Sequence, residues 1–392
     1  MTTCVRGCMF LLMAALAASS GCSSNACSAI GLCAVEPDGS TTPSMVDGGA
    51  TAAGDGPSGG KALGFTPSNL GALDTTSGSF GDLVMTGNCS FSHNDDRKAR
   101  CGFDDMAGYR ALDVTQADGS KILVFIARNI RIPGSSTAIG EGSGPIALVA
   151  LDSIEISGTL TVAGDHGRAV GGGGPGNSLL MNEQGKGPGG GQPGDAGGGG
   201  AFCGKGGGGG GTAGGAGGNP FGTPALIPLV GGSAGGSTLS GSGGGALMLV
   251  AGNKVVVPTT GIVNAGGGGN GDGVLGRAGA GSGGGILIEA PTVLIAGKVA
   301  ANGGGSGLSG FNATTEATVT KGATGSTAGE GGGGDAIDGK PGALGPDNRY
   351  IAGGGGGVGR IRINTASGSA TISGSVSPTL TTPCATQGTL AK

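Results

Sequence analysis

The sequence has few aromatic and few charged residues. It contains no tryptophan and two tyrosines, and aromatic residues make up 3% of its 392 positions. Large aromatic side chains normally provide much of the buried surface of an enzyme core, so their scarcity argues against a compact α/β enzyme. Charged residues make up 12% and the formal net charge is −4. Because phosphate binding needs a basic face, the sequence predicts no nucleic-acid partner.

Long apolar runs are also scarce, since none beyond the N-terminus reaches the roughly 20 residues of a membrane-spanning helix. The N-terminal run, residues 9–18, follows a single arginine and precedes Ser20-Gly21-Cys22. This order is typical of a secretory signal. Its end matches a bacterial lipobox, although Ser19 stands where that motif prefers leucine. The sequence predicts a signal peptide over 1–21 and lipidation of Cys22, with cleavage after Ala17 as the alternative.

Six cysteines would remain after signal removal and lipidation. An even number in an exported chain is typical of disulfide bonding. Proximity along the chain favours two pairs and leaves a third: Cys27–Cys33, Cys89–Cys101 and Cys203–Cys384. With two histidines and no CxxC pair, the sequence predicts no zinc or other metal site and no cofactor.

Glycine is abundant, with 99 residues against a usual share of about 7%. Residues 22–63 are rich in Ser, Gly, Thr, Ala and Pro without an apolar period, which predicts a flexible tether. Residues 64–118 contain most of the aromatic side chains and few glycine runs. They are predicted to form an N-terminal cap over the first repeat, because a stacked fold needs its open edge covered.

Residues 119–378 contain a degenerate repeat of about 20 residues with three short apolar segments. One unit has them at 146–150, 154–156 and 160–162. Alternation within a segment puts one face inward. One small residue falls at the same point of four units, at Ala127, Ala150, Ala251 and Ala290. The repeat predicts an all-β fold, a parallel β-helix or solenoid, with a β-sandwich as the alternative.

Glycine-rich inserts at 165–243, 267–283 and 305–355 separate the units. Two interpretations stay open: flexible chain, or packed polyglycine-II helices whose backbones hydrogen-bond to one another. Residues 379–392 are predicted to be a tail, because Pro378 and Pro383 discourage further strand pairing.

Several stretches resemble sites of known chemistry but each lacks a required part. Residues 199–205 lack the Ser or Thr of a phosphate-binding loop, and residues 268–274 hold a single copy of a calcium-binding-like repeat. Asp165-His166 follows a strand and many serines are available, but a triad needs a positioned base, and a histidine beside a glycine-rich segment is expected to be solvent-exposed. The charged residues of the repeats are expected on outer faces: Asp152, Glu155, Glu289, Arg128, Arg131, Arg360 and Arg362. The sequence therefore predicts no catalytic residue and no enzyme.

The stretches FTPSNL at 65–70, TQADG at 115–119 and IALVALDSIEISGTLTVAG at 146–164 resemble uncharacterised glycine-rich predicted lipoproteins of myxobacterial type. The resemblance covers most of residues 1–378, and its motifs are structural. The inserts are similar in composition to the glycine-rich regions of mycobacterial PE-PGRS proteins. Neither resemblance implies a functional residue.

Together these features predict an exported lipoprotein of the bacterial cell envelope, at the outer membrane or cell surface, with a structural or adhesive role. Its partners would be the lipid bilayer, through the acyl anchor, and polysaccharide or other surface proteins. A carbohydrate-binding or carbohydrate-cleaving β-helix and an inert coat or spacer are the alternatives, and a secreted protein is the alternative location.

Overall fold

Strands, and no helix, make up the regular structure of the residues that a computed structural model describes. These are residues 63–77, 79–92, 97–102, 104–165, 170–177, 182–270, 277–307, 312–316, 328–344 and 351–391. The predicted signal peptide, Cys22, the tether up to residue 62 and the Cys27–Cys33 pair lie outside them. All described residues belong to one compact unit, Asp55–Lys392.

The strands, numbered in chain order, form three open sheets. Sheet A has the order β1 (Asp82–Val84), β7 (Asn129–Ile132), β10 (Ser153–Ile156), β13 (Lys254–Val257), β16 (Thr292–Ile295), β19 (Thr371–Ile372). Sheet B has the order β20 (Ser375–Ser377), β17 (Lys298–Ala300), β14 (Ile262–Asn264), β11 (Thr159–Thr161), β8 (Thr137–Glu141), β2 (Asn88–Ser92), β3 (Ala99–Cys101), β4 (Asp104–Asp105). Sheet C has the order β21 (Ala385–Thr389), β18 (Arg360–Thr365), β15 (Gly285–Glu289), β12 (Ala246–Ala251), β9 (Ile146–Ala150), β6 (Lys121–Ala127), β5 (Tyr109–Thr115).

Successive strands visit the three sheets in turn. β9, β10 and β11 lie in sheets C, A and B, and β12, β13 and β14 repeat that order one position further along each sheet. Equivalent strands pair in parallel, as β9 does with β12 and β10 with β13. The described antiparallel pairs, β2–β3, β3–β4 and β5–β6, lie at the N-terminal end. The all-β prediction is confirmed.

The apolar core follows from this register. In sheet A, Ile154 aligns with Ile130 on one side and with Val255 on the other, and Val255 aligns with Val293. All four side chains are buried, and each contributes about 1.5–3 kcal/mol by leaving water. In sheet C, Ala150 aligns with both Ala127 and Ala251. The predicted stacking of small residues is confirmed at these three positions.

Sheet C is buried on both faces. Its outward residues, such as Val124 and Met248, join a second apolar cluster with side chains from two covering segments. One segment supplies Leu63 and Leu70, and the other supplies Phe202, Leu226 and Leu229. Burial on both sides explains why strands β6, β9 and β12 read as continuous apolar runs rather than as alternating ones.

The region predicted as a cap occupies several places. β1 and β2 pair in parallel with β7 and β8 and so extend sheets A and B. β5 runs antiparallel to β6 and forms the edge of sheet C. Phe91 and Tyr109 pack against Phe125, with ring centroids 5.0 and 5.5 Å away. Residues 63–70 instead lie on the outer face of sheet C, far along the stack.

Two of the predicted disulfides occur in the structure. Cys89 in β2 is bonded to Cys101 in β3, across the antiparallel pair. Cys203 in the first insert is bonded to Cys384, just before β21, with a sequence separation of 181 residues. The second bond therefore fixes the first insert to the chain that enters β21, the edge strand of sheet C.

The prediction that strand pairing ends at Pro378 is wrong. β21 pairs in parallel with β18, and Ala385 aligns with Ile361. Pro378 and Pro383 both precede the strand, so every residue of β21 keeps its backbone donor. A proline stops pairing only at positions where its missing N–H is needed.

Candidate interaction site

The three long inserts all lie at the same place in the fold, the connection from sheet B to sheet C. Each connects a sheet B strand to the next sheet C strand, from β11 to β12, from β14 to β15 and from β17 to β18. Their described extended segments lie side by side and are largely buried. We call this group the glycine array: residues 185–191, 196–200, 205–211, 214–219, 231–236, 241–245, 265–270, 277–284, 301–306, 329–333, 338–342 and 352–359.

Backbone hydrogen bonds join the chains of the array in closed cycles. The N–H of Gly200 donates to the carbonyl of Ala280 at 2.8 Å, Ala280 donates to Gly354 at 3.0 Å, and Gly354 donates to Gly197 at 2.9 Å. The donors repeat with a period of three, since Gly197 and Gly200 both donate to the chain 277–280. The two residues between them donate to two further chains. The chain 197–200 therefore donates in three directions.

Glycine is required in the array because neighbouring backbones fill the space of a side chain. A Cβ added to Gly199 would lie 1.9 Å from the carbonyl oxygen of Gly355, and one on Gly303 would lie 1.9 Å from that of Gly356. Real Cβ atoms do not come so close, and backbone on both sides leaves little room to move. The glycine content of the inserts thus follows from chain-to-chain contact and not from flexibility.

Serine enters the array where its hydroxyl completes a hydrogen bond. Ser233 and Ser282 are fully buried. The N–H of Ser233 donates to Oγ of Ser282 at 2.9 Å, and the N–H of Gly189 donates to Oγ of Ser233 at 3.0 Å. These hydroxyls accept backbone donors that would otherwise be buried without a partner.

A groove of about 450 Å³ lies at the surface of the array. Three chains line it, contributing residues 205–208, 216–219 and 338–341. Its floor is glycine backbone, and its polar side chains are those of Lys205, Asp338 and Asn219. Asp338 accepts the N–H of Lys205 at 2.7 Å. Within the described part of the chain the ammonium of Lys205 makes no ion pair.

The chain 205–211 has hydrogen-bond partners in two directions but is incompletely paired in the direction of this groove. Gly206 and Gly209 donate to the chain 215–218, and Gly207 and Gly210 donate to the chain 352–355. In the third direction the backbone N–H of Lys205 donates to the carboxylate of Asp338, and the N–H of Gly208 meets no acceptor among the described residues. The N–H of Gly217, across the groove, is likewise unpaired there. Both glycines are partly exposed.

Glu289 is the main departure from the predicted surface positions. It points away from the core but is buried, 1% exposed. Its carboxylate accepts the N–H of Ser68 at 2.8 Å, the hydroxyl of Ser68 at 2.7 Å and the side-chain amide of Asn364 at 2.8 Å. Residues 63–70 cover it, so the outer face of sheet C is not solvent-exposed here.

The other charged residues of the repeats make local contacts. Arg128 donates to Asp82 at 2.9 Å, and this hydrogen bond lowers the pKa of the Asp82 carboxyl. Arg131 lies 3.5 Å from Glu155, and Asp152 accepts from Asn253 at 3.1 Å.

Two arginines at the C-terminal end of sheet C are partly buried. Arg360 donates to the carbonyl of Phe221 at 3.0 Å and lies over the ring of Phe202, 5.7 Å from its centroid. Burial lowers the pKa of Arg360 below its ordinary value. Arg362 donates to Asn364 at 2.7 Å.

The stretches that resembled known chemistry do not form such sites in the described residues. Residues 199–205 run from one chain of the array to another through bends at 202–204, whereas a phosphate-binding loop leads into a helix. His166 and residues 271–274 lie outside the residues that the structure describes. No group of three metal-ligating side chains occurs in the parts of the chain that are described. No helix there could cross a membrane.

No family model matches the chain, and no curated protein or solved structure matches it either.

Proposed function

We propose that this chain is a structural or adhesive protein of the bacterial cell surface, exported by residues 1–21 and anchored by a lipid on Cys22. Its body is a parallel β-helix in which β9–β11, β12–β14 and β15–β17 are successive turns. Parallel pairing between equivalent strands supports this fold over a β-sandwich, whose sheets are antiparallel. The array is a bundle of polyglycine-II helices, which have three residues per turn.

The observation that carries the proposal is the order within the glycine array. Its inner chains, such as 197–200, donate hydrogen bonds in three directions, and side chains would not fit between them. Such a body presents a rigid backbone surface to its surroundings. Many weak contacts along it would add up when molecules are held on one cell surface.

A test of the anchor compares the wild type with Cys22→Ala in the native cell. We expect palmitate labelling of the wild type only, because the cysteine thiol is the acylated group. Protease treatment of intact cells should then cut the labelled protein beyond residue 63. Label without cutting would place the protein inside the envelope, and an unlabelled soluble wild type would remove the anchored role.

A carbohydrate-binding protein is the second candidate. The groove supports it, because it brings the ammonium of Lys205 and the carboxylate of Asp338 together with unpaired backbone donors. Those groups can hydrogen-bond to sugar hydroxyls, although the groove has no aromatic lining. A glycan screen with the purified chain separates this candidate from an inert coat, which would retain no glycan.

A further inference from the structure

The groove lies where one more chain would continue the glycine array. In the inner chains of the array, such as 197–200, every third donor points to the same neighbour. Gly207 and Gly210 reach the chain 352–355, and Gly206 and Gly209 reach the chain 215–218. The carbonyls of Lys205 and Gly208 accept from the chain 339–342. In the remaining donor direction the N–H of Lys205 meets Asp338, and the N–H of Gly208 meets no described acceptor.

The opposite wall of the groove has the same character. Gly215 and Gly218 donate inward, to Ala196 and Gly199. The N–H of Gly217 has no described acceptor, and Ala216 and Asn219 are exposed. Gly208 and Gly217, which both line the groove, thus each have an N–H without a described acceptor. A chain lying between them could accept both with its carbonyls, as neighbouring chains do inside the array.

The lining also restricts what can enter. Between Lys205, Asp338, Asn219 and Pro341 the lining is glycine and alanine, so an extended chain must itself have small residues to approach this backbone closely. Residues 211–219 are a chain of this kind at the surface of the same molecule, since they contain only Gly, Ala, Thr and Asn. They are mostly exposed.

The charges of the groove favour pairing between the grooves of two copies of this chain. Its lining contains one cation, Lys205, and one anion, Asp338. A two-fold axis that passes between Lys205 and Asp338 would bring Lys205 of one copy towards Asp338 of the other and the reverse, since a two-fold interface uses the same patch on both subunits. Opposite charges placed this way set orientation and exclude wrong partners.

We infer that the groove binds residues 211–219 of a second copy, so that two glycine arrays join edge to edge. This inference rests on the proposed role of the array as the adhesive surface and names its partner. The bond is made by backbone donors of Gly208 and Gly217 and by carbonyls of the other copy. On a crowded cell surface it would link neighbouring molecules laterally.

The test uses the purified full chain with Cys22→Ala, so that an acyl group cannot drive association. Gly208→Val is the blocking variant. The Cβ at Gly208 would meet only the Gly215 carbonyl, at 3.7 Å, so the position has room and the side chain enters the groove. Gly134→Val is the matched control, because that exposed glycine lies in a turn outside the array and its Cβ would meet only Ser157, at 3.8 Å.

In sedimentation experiments we expect the parent chain to associate with rising concentration. Gly208→Val should weaken association at least tenfold, and Gly134→Val should leave it within about twofold. In hydrogen exchange the amides of 208 and 217 should become protected at high concentration only. If Gly208→Val does not fold, Gly208→Ala and the exchange experiment give the answer.

A parent chain that stays monomeric at about 1 mM, where even 4 kcal/mol of association would show, overturns the inference. Equal association of Gly208→Val, or a glycan that binds the monomer and protects 208 and 217, also overturns it. The surface role is judged separately by Cys22 labelling. If the chain pairs in solution but is not labelled, the pairing inference stands and the surface role is rejected. If the chain is labelled but monomeric, the surface role stands and the pairing inference is rejected.

Discussion

The β-sheet body and the glycine array are ordered by different means. In the body, columns such as Ile130, Ile154 and Val255 bury apolar side chains between sheets. In the array there is almost no side chain to bury, and chains such as 197–200 and 354–357 touch backbone to backbone. The body gains stability mainly from the hydrophobic effect. The array depends on hydrogen bonds that must offset the large conformational entropy of glycine.

The difference shows that a low-complexity segment can be ordered when a scaffold fixes its ends. The inserts start and finish at one corner of a stack whose strands are spaced regularly. Their chains therefore begin side by side, and part of the entropy cost of bringing them together is already met by the body. An isolated copy of such a segment would lack this advantage.

The largest effect should come from a cavity in the body. Leu249 is fully buried and aligns with Leu148 and Ile288. Leu249→Ala should lower the free energy of unfolding by about 2–5 kcal/mol through lost burial and the cavity left behind. Chemical denaturation measures it, with Leu294→Ala, an exposed leucine in β16, as the control. Equal losses in both variants would mean that the body is not packed through its side chains.

A smaller loss of stability should come from adding a side chain in the array, where the first prediction removed one from the body. Gly199→Ala adds one methyl group 1.9 Å from a backbone oxygen, whereas Gly208→Ala adds it at 3.7 Å. Overpacking of this kind costs about 1–3 kcal/mol, so Gly199→Ala should destabilise and Gly208→Ala should not. Hydrogen exchange of residues 197–218 should accelerate in the first variant only. Two variants with the same exchange rates would show that the chains are not in close contact.

The smallest effect should be a pH dependence confined to the body. Arg128 lowers the pKa of Asp82 in the folded state, relative to about 3.9 when unfolded. The pair therefore stabilises the fold above that unfolded value, and the contribution is lost as the pH falls through the folded pKa. Both side chains are about a third exposed, so the amount is a fraction of 1 kcal/mol. Melting at pH 7 and pH 3 should show a slightly shallower acid loss in Asp82→Asn than in the wild type, and identical slopes would argue against the effect.

The strands of the body could be predicted because period-two alternation marks the inward residues of strands such as β10, whereas strands of sheet C such as β9 are short continuous apolar runs. The sequence placed one unit at 146–150, 154–156 and 160–162, and the structure has Ile146–Ala150, Ser153–Ile156 and Thr159–Thr161. The short shift in the last strand reflects a turn glycine, Gly158, which leaves Thr159 free to pair with Ile262.

The groove and the burial of Glu289 could not be predicted in this way. Glycine runs carry no side-chain pattern, so nothing in residues 205–211 indicates which chains lie beside them. Glu289 reads as an outward residue of its strand, and Ser68, which covers it, is 221 residues away in sequence. The proline argument failed because Pro383 lies two residues before the strand that pairs, Ala385–Thr389.

The bond between Cys203 and Cys384 has a mechanical consequence. A chain pulled between its two ends would lengthen as it unfolds. The disulfide bypasses the segment between Cys203 and Cys384, a sequence separation of 181, which at full extension would span about 600 Å. While the bond is intact, a force between the chain ends cannot draw out that length.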